Sequence, residues 1–187
     1  TSTVWSANAR GTMYACIWHA GGRDRIEAGD AIDVIIKLRE ATLEYEFGGG
    51  GWLSYADNIY GGYTIANGVL IEDGQGGAGD DGLNGNNGRN VLEGLGGGDR
   101  IYGRGGRDDL FGGSGRDALF GGAGNDDLTG GGGRDALYGG LGGDSFIFLA
   151  VGVGGKEIDR ILDLEAGDTV DLRPIVPHPA TAGKQAS

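Results

Sequence analysis

The chain has 187 residues, 44 of them glycine, with 39% hydrophobic residues and a formal net charge of −12. That acidity weighs against nucleic-acid binding and against docking on an anionic membrane surface. The single cysteine excludes an internal disulfide, and no apolar run approaches the length of a membrane span.

Residues 1–75 carry short alternating apolar runs at Met13 to Trp18, Ile32 to Leu38 and Thr42 to Phe47, separated by Gly, Asn and Asp clusters. This texture predicts an all-β preamble, with Gly48 to Gly51 as a loop. Cys16 falls in the first run and is expected to be a buried, inert thiol. No N-terminal signal peptide is visible, so any export address is expected elsewhere. Two segments echo a repeat that follows: His19-Ala20-Gly21-Gly22-Arg23-Asp24-Arg25-Ile26-Glu27 and Val69-Leu70-Ile71-Glu72. The preamble is therefore expected to form a β-sandwich-like cap over the first coil, which otherwise presents an open edge.

From Gly76 to Ile147 eight nonapeptides run without insertion, each a variant of G-G-x-G-x-D-x-U-x with U large and apolar. The pattern is that of a calcium-binding parallel β-helix, or β-roll. Glycine at positions one, two and four lets the backbone turn through positive φ and aim carbonyls inward. Position six adds a carboxylate, and hard oxygen ligands of this kind suit calcium. Position eight places one apolar side chain inside (Leu83, Leu92, Ile101, Leu110, Leu119, Leu128, Leu137, Phe146), while positions seven and nine point outward. A flexible glycine-rich linker would not keep this register.

Two repeats make one coil, so the turns stack in two rows. One row carries Asp81, Asp99, Asp117 and Asp135, and the other Asn90, Asp108, Asp126 and Asp144. Coils lie about 4.8 Å apart. Charges about 5 Å apart at an effective dielectric near 20 repel by roughly 3 kcal/mol. With so thin a core, metal binding and folding are expected to be one event, the segment being disordered without calcium.

Two outward stripes stand out. Position nine reads Tyr102, Phe120, Tyr138 on one face and Glu93, Phe111, Thr129, Ile147 on the other. The aromatic ladder either stacks across strands or packs against the preamble, a further domain or a partner. Position five carries Arg89, Arg107, Arg116 and Arg134, read as charge balance beside the carboxylates or, alternatively, as a basic stripe for a glycan. Beyond the repeats, Phe146 to Leu149, Ile158 to Leu164 and Asp168 to Leu172 are expected to close the far end. The expected division is thus a cap at 1–75, a roll at 76–147, capping strands at 148–173 and a mobile tail at 174–187.

These features together resemble the C-terminal domain of serralysin-type secreted zinc metalloproteases, part of the wider RTX group of exported bacterial proteins. Ile17-Trp18-His19-Ala20-Gly21-Gly22-Arg23-Asp24 is similar to that family's I-W-D-A-G-G-x-D, and Ile65 to Asp73 to its I-A-x-G-V-x-I-E-N. Asp159-Arg160-Ile161-Leu162-Asp163-Leu164 and Val170-Asp171-Leu172 resemble its closing strands.

The resemblance implies that each calcium lies between a turn and the turn 18 residues on. The first turn gives carbonyls two and four plus its sixth side chain, and the later one carbonyls one and three plus its own. The implied sets begin with Gly77, Gly79, Asp81 with Gly94, Gly96, Asp99, and Asn86, Gly88, Asn90 with Gly103, Gly105, Asp108. Next come Leu95, Gly97, Asp99 with Gly112, Ser114, Asp117, and Arg104, Gly106, Asp108 with Gly121, Ala123, Asp126. The last two are Gly113, Gly115, Asp117 with Gly130, Gly132, Asp135, and Gly122, Gly124, Asp126 with Gly139, Leu141, Asp144. Upstream, Gly22 and Asp24 would pair with Leu70 and Glu72.

The chain departs from the family at several points. His19 stands where the family has an aspartate, which weakens the upstream site. Leu95 and Arg104 replace the second glycine, although their carbonyls can still serve. Asn90 is uncharged, with an amide oxygen able to coordinate. The H-E-x-x-H motif is absent, and His19 and His178, the only histidines, cannot form a three-ligand zinc site. The family's long C-terminal extension also looks cut short.

The expected function is therefore a non-catalytic, secreted, extracellular calcium-binding module that holds several ions. It would fold on calcium after export and stabilise an attached serralysin-like protease domain. A calcium-dependent surface, adhesion or carbohydrate-binding module is the alternative. A retained hydrolase site is disfavoured, since no serine or cysteine nucleophile has a plausible base.

Overall fold

The computed structural model describes residues 2–6, 15–17, 22–28, 33–39, 55–56, 63–65, 68–149 and 158–173. The expectations placed on His19, His178, Thr42 to Phe47, Gly48 to Gly51 and the tail at 174–187 fall outside these residues. Every described element is a strand.

Position eight organises the fold. Leu83, Leu92, Ile101, Leu110, Leu119, Leu128, Leu137 and Phe146 are all fully buried, and the residues on either side of each reach the outside except Thr129, which is itself buried. Each such side chain contributes roughly 1.5–3 kcal/mol. Because a coil turns twice, these residues come alternately from two sheets around one core. The eight-stranded sheet runs β1 (Ser2–Ser6), β3 (Asp24–Glu27), β7 (Asp73–Gln75), β9 (Val91–Gly97), β11 (Asp109–Gly115), β13 (Asp127–Gly133), β15 (Ser145–Leu149), β17 (Thr169–Arg173). The seven-stranded sheet runs β16 (Arg160–Ile161), β14 (Ala136–Leu141), β12 (Ala118–Ala123), β10 (Arg100–Gly105), β8 (Gly82–Asn84), β4 (Val34–Lys37), β5 (Tyr55–Ala56). A separate short pair joins β2 (Ala15–Ile17) to β6 (Tyr63–Ile65).

The register is 18 residues: Ile101 aligns with Leu119 and Leu119 with Leu137, in parallel pairs. The fold is the parallel β-roll that the period predicts. In the cap expected over residues 1–75, β1, β3, β4, β5 and β7 continue the roll's own two sheets, and only the β2–β6 pair stands apart among the described residues. In β3 Ile26 aligns with Gly74 of β7, and in β4 Ile36 aligns with Leu83 of β8. Gly74 takes a position-eight place with no side chain, because the Leu92 Cδ2 methyl would lie 3.2 Å from a Cβ there. At the other end β16 and β17 add in parallel to β14 and β15.

The position-nine ladder stacks on itself. Tyr102, Phe120 and Tyr138 lie with ring centroids 4.7 Å apart and planes within 10°, all half-buried. Parallel in-register strands dictate that spacing.

Two of the three non-glycine residues at position two, Asn86 being the third, take a left-handed conformation. Leu95 and Arg104, at position two, have φ of 81° and 84°, the conformation that Gly113 and Gly122 adopt at the same place. A left-handed non-glycine residue costs about 1–2 kcal/mol, and a glycine there loses about 0.5–1 kcal/mol more chain entropy. Leu95 is half-exposed and gives up little burial. Leu95→Gly is therefore expected to raise the calcium-loaded melting temperature by a few degrees; an unchanged or lower midpoint would show that the position carries no strain.

Candidate metal centre

The stacked turns place the position-six side chains in the two expected rows and bind each to its neighbour in the same way. The Asp81 N–H donates to Asp99 Oδ1 at 2.8 Å, Asp99 to Asp117 at 2.8 Å, and Asp117 to Asp135 at 2.9 Å. In the second row Asn90 donates to Asp108 at 2.8 Å, Asp108 to Asp126 at 2.9 Å, and Asp126 to Asp144 at 2.9 Å. One carboxylate oxygen is thus anchored by the coil before it.

The other oxygen has no partner. Oδ2 of Asp99, Asp108, Asp117, Asp126, Asp135 and Asp144 is sealed from solvent and accepts no hydrogen bond. A buried, unsatisfied carboxylate oxygen costs several kcal/mol unless a cation meets it. Burial, ahead of the neighbouring carboxylates, pushes Asp99 and Asp108 up to about 7 and Asp126 and Asp135 up to about 6.

Position-one glycines show what that oxygen faces. A Cβ built on Gly112 would stand 2.5 Å from Asp117 Oδ2 and 2.5 Å from the Gly130 carbonyl. On Gly121 it would meet Asp126 Oδ2 and the Gly139 carbonyl, each at 2.5 Å. The earlier turn's carboxylate and the later turn's first carbonyl therefore crowd one small volume, as the implied ligand sets require. No three His, Cys, Asp or Glu side chains converge among the described residues, so the backbone must supply most of the ligands. That donor set suits calcium, which takes six to eight oxygens. The residues fit the ion, which would neutralise the paired carboxylates and tie successive coils together.

This arrangement holds for the turns carrying Asp99, Asp108, Asp117 and Asp126 with their successors Asp117, Asp126, Asp135 and Asp144. The first turn of each row shows the same crowding, at Gly76 and Gly85, but its side-chain oxygen is already hydrogen-bonded. Asp81 Oδ2 accepts from Gly77 N–H at 2.6 Å and Oδ1 from Val34 N–H at 2.8 Å. The Asn90 amide oxygen accepts from Asn86 N–H at 2.8 Å, and its nitrogen donates to the Glu72 carbonyl. Neither Gly77, Gly79 nor Gly88 has the positive φ found at positions two and four of later turns. These first turns close on their own backbone.

Upstream, the Asp24 backbone N–H donates to Glu72 Oε2 at 2.8 Å, and Gly22 has φ of 92°. Leu70 lies beside them in sequence with its side chain exposed. Asp73 is buried but engaged, held by the Arg23 guanidinium at 2.8–3.1 Å.

Three carboxylates were absent from the sequence-derived site. Asp159 Oδ1 accepts from Asp135 N–H at 3.0 Å and Asp168 Oδ1 from Asp144 N–H at 2.9 Å. They extend the two rows by one turn. Asp163 accepts from Gly139 and Gly140 N–H at 2.9 and 3.0 Å. The signal was there in the spacing of the closing strands, but at 24 residues rather than 18.

Residues 75–92, 84–119 and 111–146 match the family model described as the RTX calcium-binding nonapeptide repeat (4 copies). Residues 75–146 form an RTX calcium-binding roll. No curated protein matches the chain.

The RTX roll should respond to pH with a definite sign. Its buried carboxylates have folded values raised from the ordinary 3.8 to about 6–7. Without metal, both folded and unfolded chains are protonated below pH 4, and the folded state loses stability as pH rises from about 4 to 7. Calcium needs the ionised form, so its binding releases protons in that window. The calcium midpoint at pH 5.5 is expected at least about tenfold above that at pH 7.5. A midpoint independent of pH in a titration would contradict the burial of these groups.

Proposed function

We propose that the chain is a non-catalytic calcium-binding module of a secreted protein, folding on calcium after export and stabilising a domain attached to it. One observation carries this reading: six buried aspartate oxygens point, unpartnered, into the spaces between coils. RTX repeats are typical of secreted bacterial proteins. Calcium is scarce in the cytoplasm, and extracellular modules bind it at roughly 10⁻⁴–10⁻³ M. A chain of this kind stays open during export and sets outside the cell. The resemblance of Ile17 to Asp24 and of Ile65 to Asp73 to serralysin segments supports a metalloprotease as the attached domain.

A calcium titration followed by circular dichroism tests the reading, with the β signal expected to rise between about 10⁻⁴ and 10⁻³ M. A chain already folded at submicromolar calcium would remove the export argument. A natural reading frame with no zinc-protease domain upstream would remove the serralysin attachment.

A further inference from the structure

The position-five arginines do not share one role. Arg89 pairs with Asp109 at 2.7 Å and Arg107 with Asp127 at 2.8 Å, each reaching the position-seven carboxylate of the next coil. These pairs balance charge on the position-seven carboxylates rather than on the position-six carboxylates of the metal rows. Arg116 and Arg134, on the opposite row, meet Ala136 and Arg160 at the corresponding places. Neither makes an ion pair with a described residue.

Those two arginines belong to a cleft of about 420 Å³ along the outside of the seven-stranded sheet. Arg100 and Arg160 stand at its ends, in the column Arg100–Ala118–Ala136–Arg160 that runs across β10, β12, β14 and β16. Ala118 and Ala136 form a low floor between them. All four arginines are exposed, and none of the four is paired among the described residues. Asp99, Asp117 and Asp135 also border the cleft, but they are at most 2% exposed and their carboxylates face the metal rows. Four fixed positive charges thus span three strand spacings, about 14 Å, on a chain of net charge −12.

We propose that this cleft binds a linear acidic polysaccharide, with its repeated sulfate or carboxylate groups on Arg100, Arg116, Arg134 and Arg160. Guanidinium forks suit planar and multi-oxygen anions. A single-stranded nucleic acid would need stacking surfaces, and no aromatic ring lines the cleft. An acidic peptide would gain from a free strand edge or an apolar pocket, but β10, β12 and β14 are hydrogen-bonded on both sides, and the sheet edge beside the cleft is only the two-residue β16. Arginines on separate coils come into line only when the coils stack. The inference therefore rests on the calcium-folding reading and couples the two ligands: the polysaccharide raises calcium affinity, and calcium raises that of the polysaccharide.

The test uses the full chain in excess calcium, with dextran sulfate as the probe and neutral dextran, single-stranded DNA and polyglutamate as comparators. Circular dichroism is recorded on the same samples with and without chelator. Dextran sulfate is expected to bind and neutral dextran not to. Arg116→Ser with Arg134→Ser should weaken binding at least about tenfold, and Arg89→Ser with Arg107→Ser less than about twofold. Equal losses in the two double variants would reduce the effect to general charge and overturn the cleft. Tighter binding of DNA or polyglutamate would overturn the polysaccharide assignment. A chain that gains β structure with calcium yet binds no dextran sulfate overturns the cleft and leaves the calcium reading standing. One with no calcium-dependent structure overturns both.

Discussion

Replacing Asp117 with alanine is expected to raise the calcium midpoint at least about tenfold and to cost roughly 3–5 kcal/mol in the calcium-loaded state, as when one partner of a buried charge is removed. Asp117 serves two gaps. It is the sixth residue of the turn facing Gly130 and the carboxylate that receives the Asp99 N–H. Asp117→Asn keeps an acceptor for that N–H and removes only the charge, so it separates electrostatics from the ladder. Asp81→Asn should raise the calcium midpoint less than Asp117→Asn, because neither Asp81 oxygen is left unpartnered for a cation, although its amide nitrogen can no longer accept from one of the Val34 and Gly77 N–H groups. Calcium titrations of the three variants check this, and an Asp117→Asn chain with the parent's midpoint would show that the buried oxygen is not a metal ligand.

Glycine substitutions give the second large effect, and its control lies on the same turn pair. Gly112→Ala drives a methyl to 2.5 Å from both Asp117 Oδ2 and the Gly130 carbonyl. No relaxation relieves both without opening the gap between coils, so a loss of roughly 3–5 kcal/mol is expected, with calcium affinity falling alongside. Gly132→Ala finds its nearest atom at 4.0 Å and has no positive φ. It should lie within about 0.5 kcal/mol of the parent. Thermal unfolding in excess calcium measures both. Equal melting temperatures for the two variants would contradict the packing of carboxylate and carbonyl at position one.

Much of this was legible because a nine-residue period leaves few alternatives. Leu83 through Phe146 had to face one core, and the position-six residues had to stack 18 apart. The metal rows follow from register alone. What the period could not show is where register is set by something other than the repeat. Asp159 and Asp168 continue the rows across a longer, non-repeating connection, so counting by nine passes them over. The first turns keep glycine at positions one and four yet close on Gly77 and Asn86 N–H groups, and the strands before them present the Val34 N–H and the Glu72 carbonyl in place of a further aspartate turn. The arginines looked equivalent at position five. Their fates divide on the residue 20 positions on, aspartate for Arg89 and Arg107 but alanine for Arg116.

The central claim is that cations between stacked coils hold the roll together. Dialysis followed by a direct count of bound calcium, with amide hydrogen exchange read on the same sample, tests it most closely. At least four ions per chain are predicted, one for each gap with an unpartnered earlier carboxylate and a later carbonyl (Asp99, Asp108, Asp117, Asp126). The position-six amides should be protected in calcium and exchange freely after chelation. A chain that carries no calcium while those amides stay protected would contradict it.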